Sequence, residues 1–232
     1  MIKPILFNTE MVQAILEERK KATRRCVKPR SKKACGFFVT IRKSDSAIVG
    51  VYDYDENESQ FDNPQTPPCQ PGDILYVRET WAFIPCICCN GEYARGMSPC
   101  YDFQAVEFDD GESISDGCFV YRADCKTPER ITWHPSIHMP KEAARIWLKV
   151  TDVRVERLQD MTLDDFLSEG VTVRPEAFND PENAYLQAKE EFTAIWDGTI
   201  KQEKRDIYGW DANPWTWVVA FERCDKPTEL NY

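Results

Sequence analysis

In Pro71-Gly72-Asp73-Ile74-Leu75-Tyr76-Val77-Arg78-Glu79-Thr80-Trp81 a turn gives way to a buried strand. Proline presets a turn backbone, glycine tolerates the conformations a turn demands, and aspartate bonds its own backbone there. The apolar run Ile74-Leu75-Tyr76-Val77 is too short for a helix and is bounded by turn and polar residues, as a buried strand is. Working outward, Phe37 to Ile41 and Ala47 to Tyr52 read as two strands around Lys43-Ser44-Asp45-Ser46, followed by a polar, proline-bearing loop from Asp53 to Gln70. Ile146 to Leu158 alternates through Val150, Val153 and Val155 as a strand does, and Trp215 to Phe221 is a terminal strand.

Helices fall between these strands. Glu10 to Lys21 puts Met11, Ile15 and Leu16 on one face and Glu17, Glu18 and Lys20 on the other, with Asn8 or Thr9 as N-cap. Thr162, with Asp165 three residues on, caps a short helix that ends at Gly170, and Glu182 to Asp197 is a longer one. Pro140 to Arg145 forms a helical turn or loop. From Ala82 to about Thr132 the pattern is irregular and rich in Cys, Gly and acidic residues, with one strand at Cys118 to Arg122. The expected fold class is therefore α+β, one domain over residues 1–232 interrupted by an insertion at about 82–131. The order excludes a repeat array and an alternating Rossmann series.

Composition narrows the function. Of 232 residues, 42% are hydrophobic and 12% aromatic, enough to exclude a disordered chain. No window approaches the roughly 18 consecutive apolar residues of a membrane helix, and Met1-Ile2-Lys3-Pro4 does not open a signal peptide. A cytoplasmic protein without a membrane partner is expected, with its ten Cys free or metal-bound rather than bridged. A net charge of −10 argues against a general DNA-coating protein. Yet Arg19, Lys20, Lys21, Arg24, Arg25, Lys28, Arg30, Lys32 and Lys33 form a basic run without an acidic residue. It is either a local anion site or a solvated helix end, where cations are favoured by the dipole.

Within that run Lys20 and Thr23 lie three residues apart, which on a helix end places them on one side. A lysine whose pKa falls under neighbouring cations can act as a base toward a hydroxyl. Arg25 and Arg78 are candidates to clamp phosphate, with Glu79 orienting Arg78; an internal Arg78–Glu79 or Arg78–Asp pair is the alternative. Trp81, Trp210 and Trp215 serve either as a wall for stacking bases or as core. Cys86, Cys88, Cys89 and Cys100 have the thiolates for a structural zinc site, without clean paired knuckles. His134 and His138 are spaced as helical zinc ligands, but Pro135 between them argues for hydrogen-bonded structural roles, with His138 also a pocket candidate.

Four ordered blocks resemble the ASCH domains, relatives of the PUA RNA-binding barrels, especially their longer phage and prophage members. They are Ile15 to Arg25, Pro71 to Trp81, Pro135-Ser136-Ile137-His138-Met139-Pro140-Lys141-Glu142-Ala143-Ala144-Arg145-Ile146, and Tyr208 to Val218. The resemblance implies a small, partly open PUA-like β-barrel from residues 1–81 and 132–224, with flanking helices. It implies binding of RNA or a modified nucleoside or nucleotide, with Arg19, Lys21, Arg24, Arg25, Arg78, Glu79, Trp81 and His138 as candidate contacts. In the branch that hydrolyses N4-acetylcytidine, the matching residues are Lys20 as proton acceptor, Thr23 as nucleophile and Glu169 as proton donor. That chemistry requires no cofactor. The family has glycine where this chain has Glu18, and commonly threonine at Lys21; a positive φ at the glycine position would strain Glu18. A third expectation is a non-catalytic phage accessory protein whose insertion contacts an unknown protein partner.

Overall fold

A computed structural model describes residues 1–29, 33–44, 48–61, 64–85, 117–125 and 131–227. Among the described residues nine strands are present in chain order: β1 (Ile2–Leu6), β2 (Ala22–Cys26), β3 (Gly36–Ile41), β4 (Ile48–Tyr54), β5 (Ile74–Arg78), β6 (Trp81–Pro85), β7 (Gly117–Tyr121), β8 (Trp147–Arg157) and β9 (Trp215–Cys224). The helices are α1 (Thr9–Leu16), α2 (Leu163–Ser168), α3 (Pro181–Thr199) and α4 (Arg205–Tyr208). Five strands form a mixed sheet in the order β1-β5-β8-β9-β2, and β3-β4 and β6-β7 are antiparallel pairs. The fold is mixed α+β. The five-stranded sheet is open, with β1 and β2 as its edges, and does not close into a barrel. Among the described residues no helix is long and apolar enough to cross a membrane.

Chain contacts divide the protein into two compact units. The first comprises Met1–Glu18, Asp73–Lys149 and Glu222–Tyr232. In it the Ile74 run is the expected strand, paired in parallel with β1 (Ile2 opposite Ile74) and antiparallel with β8 (Ile74 opposite Lys149). Gly72, which precedes it in the second unit, adopts φ 88°, as the turn reading required. Its core gathers Trp81, Met139, Ala143, Ala144 and Trp147. The strand β6, which falls where the sequence reads as irregular, is stabilised by full pairing with β7, from Trp81 opposite Tyr121 to Pro85 opposite Gly117.

The second unit comprises Arg19–Gly72 and Val150–Phe221. Leu158, Met161, Phe166, Val171, Ala188, Phe192, Trp196 and Trp210 pack α2 and α3 together. A second cluster, Val27, Val51 and Val155 with Phe37, Val39, Trp215 and Trp217, lies under the β3-β4 hairpin.

Two helix boundaries matter for function. The first helix does not reach Lys21. Asn8 caps it by accepting from the Met11 amide, but it stops at Leu16, and Glu18 adopts φ 61°. That left-handed conformation at the position after the helix cap ends the helix, a role glycine usually fills. Lys20 therefore lies between elements, and Thr23 sits on β2 opposite Val219 rather than on a helix face. The helix expected before Gly170 does form. Thr162 and Asp165 make a reciprocal capping box, and Gly170, at φ 95°, closes the other end. There the Val171 amide bonds Phe166 O at 3.3 Å and the Gly170 amide bonds Leu167 O at 2.9 Å, a Schellman closure with Phe166 and Val171 packed together.

Candidate functional site

The site is built on the closed end of α2. Because Gly170 turns the chain sharply, Glu169 presents both its carbonyl and its carboxylate at the helix C-terminus. The segment 19–21 lies against that end. Arg19 Nη1 donates to Gly170 O, Lys20 Nζ to Glu169 O at 2.8 Å, and the Lys21 amide to Ser168 O at 2.7 Å. Three successive residues thus satisfy three carbonyls that the helix leaves without internal partners. The basic run does favour a helix C-terminus, but that of α2 rather than of the helix preceding it.

Lys20 Nζ also donates to Glu169 Oε2 at 2.6 Å. The Lys20 side chain is fully enclosed and that of Glu169 is 5% exposed. Burial pulls the Lys20 ammonium below the usual lysine range; Glu169 opposes the shift, while Arg25 and Arg24 add to it.

Arg24 completes the charge balance. Its side chain is fully buried, and its guanidinium reaches Asp165 Oδ1 at 2.9 Å, Glu156 Oε2 at 3.2 Å and Glu169 Oε1 at 3.4 Å. Its Nε is a buried donor without a partner among the described residues. Burial alone would raise the Asp165 carboxyl, but hydrogen bonds from Thr162 and then Arg24 outweigh it and hold the group below the ordinary aspartate range. Arg25 Nη1 donates to Thr23 Oγ at 3.1 Å, and Thr23 is 1% exposed. Burial lowers the Arg25 guanidinium, with Glu169 opposing. Lys20, Arg24 and Arg25 thus gather around the buried Glu169, while the partly exposed Glu156 and Asp165 are shared between Arg24 and Arg154.

This geometry has defined chemical capacity. A lysine whose charged form burial disfavours, hydrogen-bonded to a carboxylate at short range, is suited to pass on and take up a proton. A hydroxyl facing a guanidinium is the easier to deprotonate. Conversely, Arg24 is fully buried among carboxylates and is not exposed to a phosphate at the surface. Lys28 Nζ stands 5.3 Å above the Tyr208 ring.

Arg78, Glu79, Trp81, His134 and His138 fall in the first unit. Arg78 Nε donates to Met139 O at 2.8 Å and Arg78 Nη2 to Ile137 O, so its partners are carbonyls rather than an acid. Glu79 pairs with Arg145, Nε to Oε1 at 2.9 Å and Nη2 to Oε2 at 3.0 Å, and not with Arg78. Trp81 is 7% exposed in the core, its Nε1 without a partner among the described residues, and its ring 5.0 Å from that of His134. In the second unit Trp210 is 6% exposed and Arg157 lies 4.4 Å over Trp215, so these tryptophans are not an open stacking wall. His138 is exposed in a 3-10 turn (Ser136–His138), where Pro135 keeps the two histidines off one helix.

Cys86, Cys88, Cys89 and Cys100 lie outside the described residues, and among the described residues no cluster of His, Cys, Asp and Glu could hold a metal. Cys26, Cys35, Cys125 and Cys224 are free thiols. Sequence reasoning missed Glu156 and Arg145. Neither carries a local signal, because each acquires its role only through partners distant in the chain. Asp165 was visible, but as a capping residue only.

Compared with models of protein families, with curated proteins and with solved structures, the chain matches none of them.

Proposed function

We propose that the chain is an ASCH-type amidohydrolase acting on an N4-acylated cytidine-like base, with Lys20 and Glu169 as its proton-transferring pair and Thr23 as its nucleophile. One observation carries the proposal. Lys20 and Glu169, 149 positions apart, meet at 2.6 Å where solvent is excluded. The ASCH resemblance singles out the same two residues from motif alone. A mixed sheet with flanking helices is compatible with the partly open PUA-like barrel that such an enzyme needs.

The reaction begins from the neutral microstate of the pair, with the proton moved from Lys20 Nζ to Glu169. Burial, which disfavours the Lys20 ammonium, supports the amine half of that state. Lys20 then accepts the Thr23 hydroxyl proton as Oγ bonds the acyl carbon, and Arg25, donating to Thr23 Oγ, stabilises the developing alkoxide. Glu169 protonates the exocyclic nitrogen as the carbon–nitrogen bond breaks, since an amine leaves only when protonated. Water next cleaves the threonyl ester, yielding the carboxylate and restoring Thr23 and the pair. No cofactor enters.

A second reading, binding of a modified nucleoside without turnover, is favoured by the complete enclosure of Lys20 and the near-complete enclosure of Thr23. The deciding experiment is acetate release from N4-acetylcytidine by the purified chain beside Lys20→Met, Thr23→Ala and Glu169→Gln. Turnover lost at least about 100-fold in each variant, with binding retained in Glu169→Gln, is expected of the enzyme. Binding of the nucleoside with no acetate released by the folded wild type selects the second reading.

A further inference from the structure

The β3-β4 hairpin has two unlike faces. Val39 and Val51 belong to the cluster with Val27 and Val155, so they point inward. Alternation along the strands puts Gly36, Phe38 and Thr40 on the other face, opposite Tyr54, Tyr52 and Gly50 respectively. There Phe38 lies between two tyrosines, its ring centroid 6.0 Å from that of Tyr52 and 6.4 Å from that of Tyr54, with interplanar angles of 25° and 21°. Phe38 is 36% exposed.

The two glycines explain the arrangement. A Cβ on Gly36 would come within 2.4 Å of the Tyr54 hydroxyl oxygen, and one on Gly50 within 2.5 Å of Tyr52 Cε2. Each tyrosine ring therefore lies over bare glycine backbone, and Phe38, stacked beside each of them, completes a row of rings on one side of the hairpin. The charges around this surface are uneven. Exposed Arg42 and Lys43 follow β3 at the turn end, whereas exposed Glu56 and Glu58 follow Tyr54 at the other.

We propose that this tiled face, Phe38, Tyr52 and Tyr54, is a stacking platform for unpaired bases of single-stranded RNA, whose phosphates run past Arg42 and Lys43. Aromatic faces hold bases of any sequence, and nearby cations take the backbone. The acidic end sets the direction in which the strand leaves. The choice of RNA over another planar or sugar-bearing ligand rests on the nucleoside reading above, which it deepens: the substrate is a modified base within a strand rather than a free nucleoside.

The test is fluorescence anisotropy of the full chain with a labelled oligoadenylate of about eight nucleotides, within the roughly 4–16 that such surfaces cover. An abasic oligomer of the same length, a maltooligosaccharide and a proline-rich peptide are the competitors. Oligoadenylate is expected to bind and the abasic oligomer to bind far less. Phe38→Leu, which keeps the apolar volume, should weaken oligoadenylate about ten-fold, and Tyr52→Leu similarly. Arg42→Ala with Lys43→Ala should flatten the salt dependence.

Equal binding of the abasic oligomer, unchanged affinity in both ring variants, no oligoadenylate binding by the folded chain, or displacement by the sugar or peptide overturns the platform. Failure of the catalytic proposal shows separately. Glu169→Gln should keep oligoadenylate affinity while losing acetate release, and Phe38→Leu should keep acetate release from the free nucleoside.

Discussion

Each unit places arginine against carboxylates, and the two arrangements differ in how far they are sealed. In the second unit the Arg24 side chain has no exposure and its three carboxylate partners are 5%, 22% and 28% exposed. In the first unit Arg145 is 26% exposed, grips the nearly buried Glu79 through two parallel hydrogen bonds, and also reaches Asp124 at the surface. The Tyr121 ring lies 4.0 Å beneath its guanidinium. Burial alone would lower the Arg145 pKa, but the hydrogen bonds and charges of Glu79 and Asp124 raise it instead. At Arg145 the partners therefore outweigh burial, whereas at Lys20 burial outweighs the Glu169 partner. The lesson is that the balance between burial and partners is set residue by residue, by the charged neighbours each group reaches and the water it keeps.

The comparison breaks most directly by removing each arginine. Arg24→Met removes the one buried cation that three carboxylates share, leaving Glu169 to Lys20 and Glu156 and Asp165 to Arg154, and should cost about 3–5 kcal/mol in urea unfolding. Arg145→Met should cost less, about 1–3 kcal/mol, because water reaches Asp124 and Glu79 can take up a proton. Equal losses would mean that the difference in enclosure has no energetic consequence.

Acid titration sharpens it, since the two regions respond with opposite signs. The Asp165 carboxyl is held low in the folded state, so its contribution is present above the unfolded aspartate value of about 3.9 and is lost as pH falls through the lower folded value. The Glu79 carboxyl is raised, chiefly by burial. Its contribution is present below the unfolded glutamate value of about 4.3 and is lost as pH rises through the folded one. Asp165→Asn should therefore flatten the fall in stability on the acid side, and Glu79→Gln should remove a decline on the rising side. Unfolding free energy measured from pH 2 to about pH 7 would expose either sign as wrong.

The smallest effect concerns the backbone that leads to Lys20. Glu18 at φ 61° holds a conformation that glycine adopts freely. Glu18→Gly should stabilise the chain by about 0.5–1 kcal/mol, relief of strain exceeding the added flexibility of the unfolded state. A destabilised variant would show that the Glu18 side chain contributes more than its strained backbone costs.

Much of this was legible in order. The Pro71–Val77 turn and strand, the β3-β4 hairpin, the long β8, the capping box at Thr162 and the stop at Gly170 are all local patterns, and each element formed within a few residues of its expected place. Local pattern failed where pairing decides. A five-residue strand such as Ala22-Thr23-Arg24-Arg25-Cys26 has no strand-like composition and exists because β9 hydrogen-bonds it, Thr23 against Val219 and Arg25 against Trp217. The strand β6 was read as irregular for the same reason, its partner β7 lying beyond residues 86–116 of the chain.

By itself the sequence determined the mixed α+β class and the capped helix that ends at Gly170, and through the ASCH resemblance it nominated Lys20, Thr23 and Glu169. Tertiary structure decided how the basic run is used. Seen as a list of charges, Arg19 to Arg25 suits a phosphate; in the fold it caps α2 and neutralises Glu156, Asp165 and Glu169. The physical reason is range. Capping and turn preferences act over a few neighbouring residues, whereas the state of a buried charge depends on partners and on the exclusion of water, both of which are set by segments more than a hundred residues away.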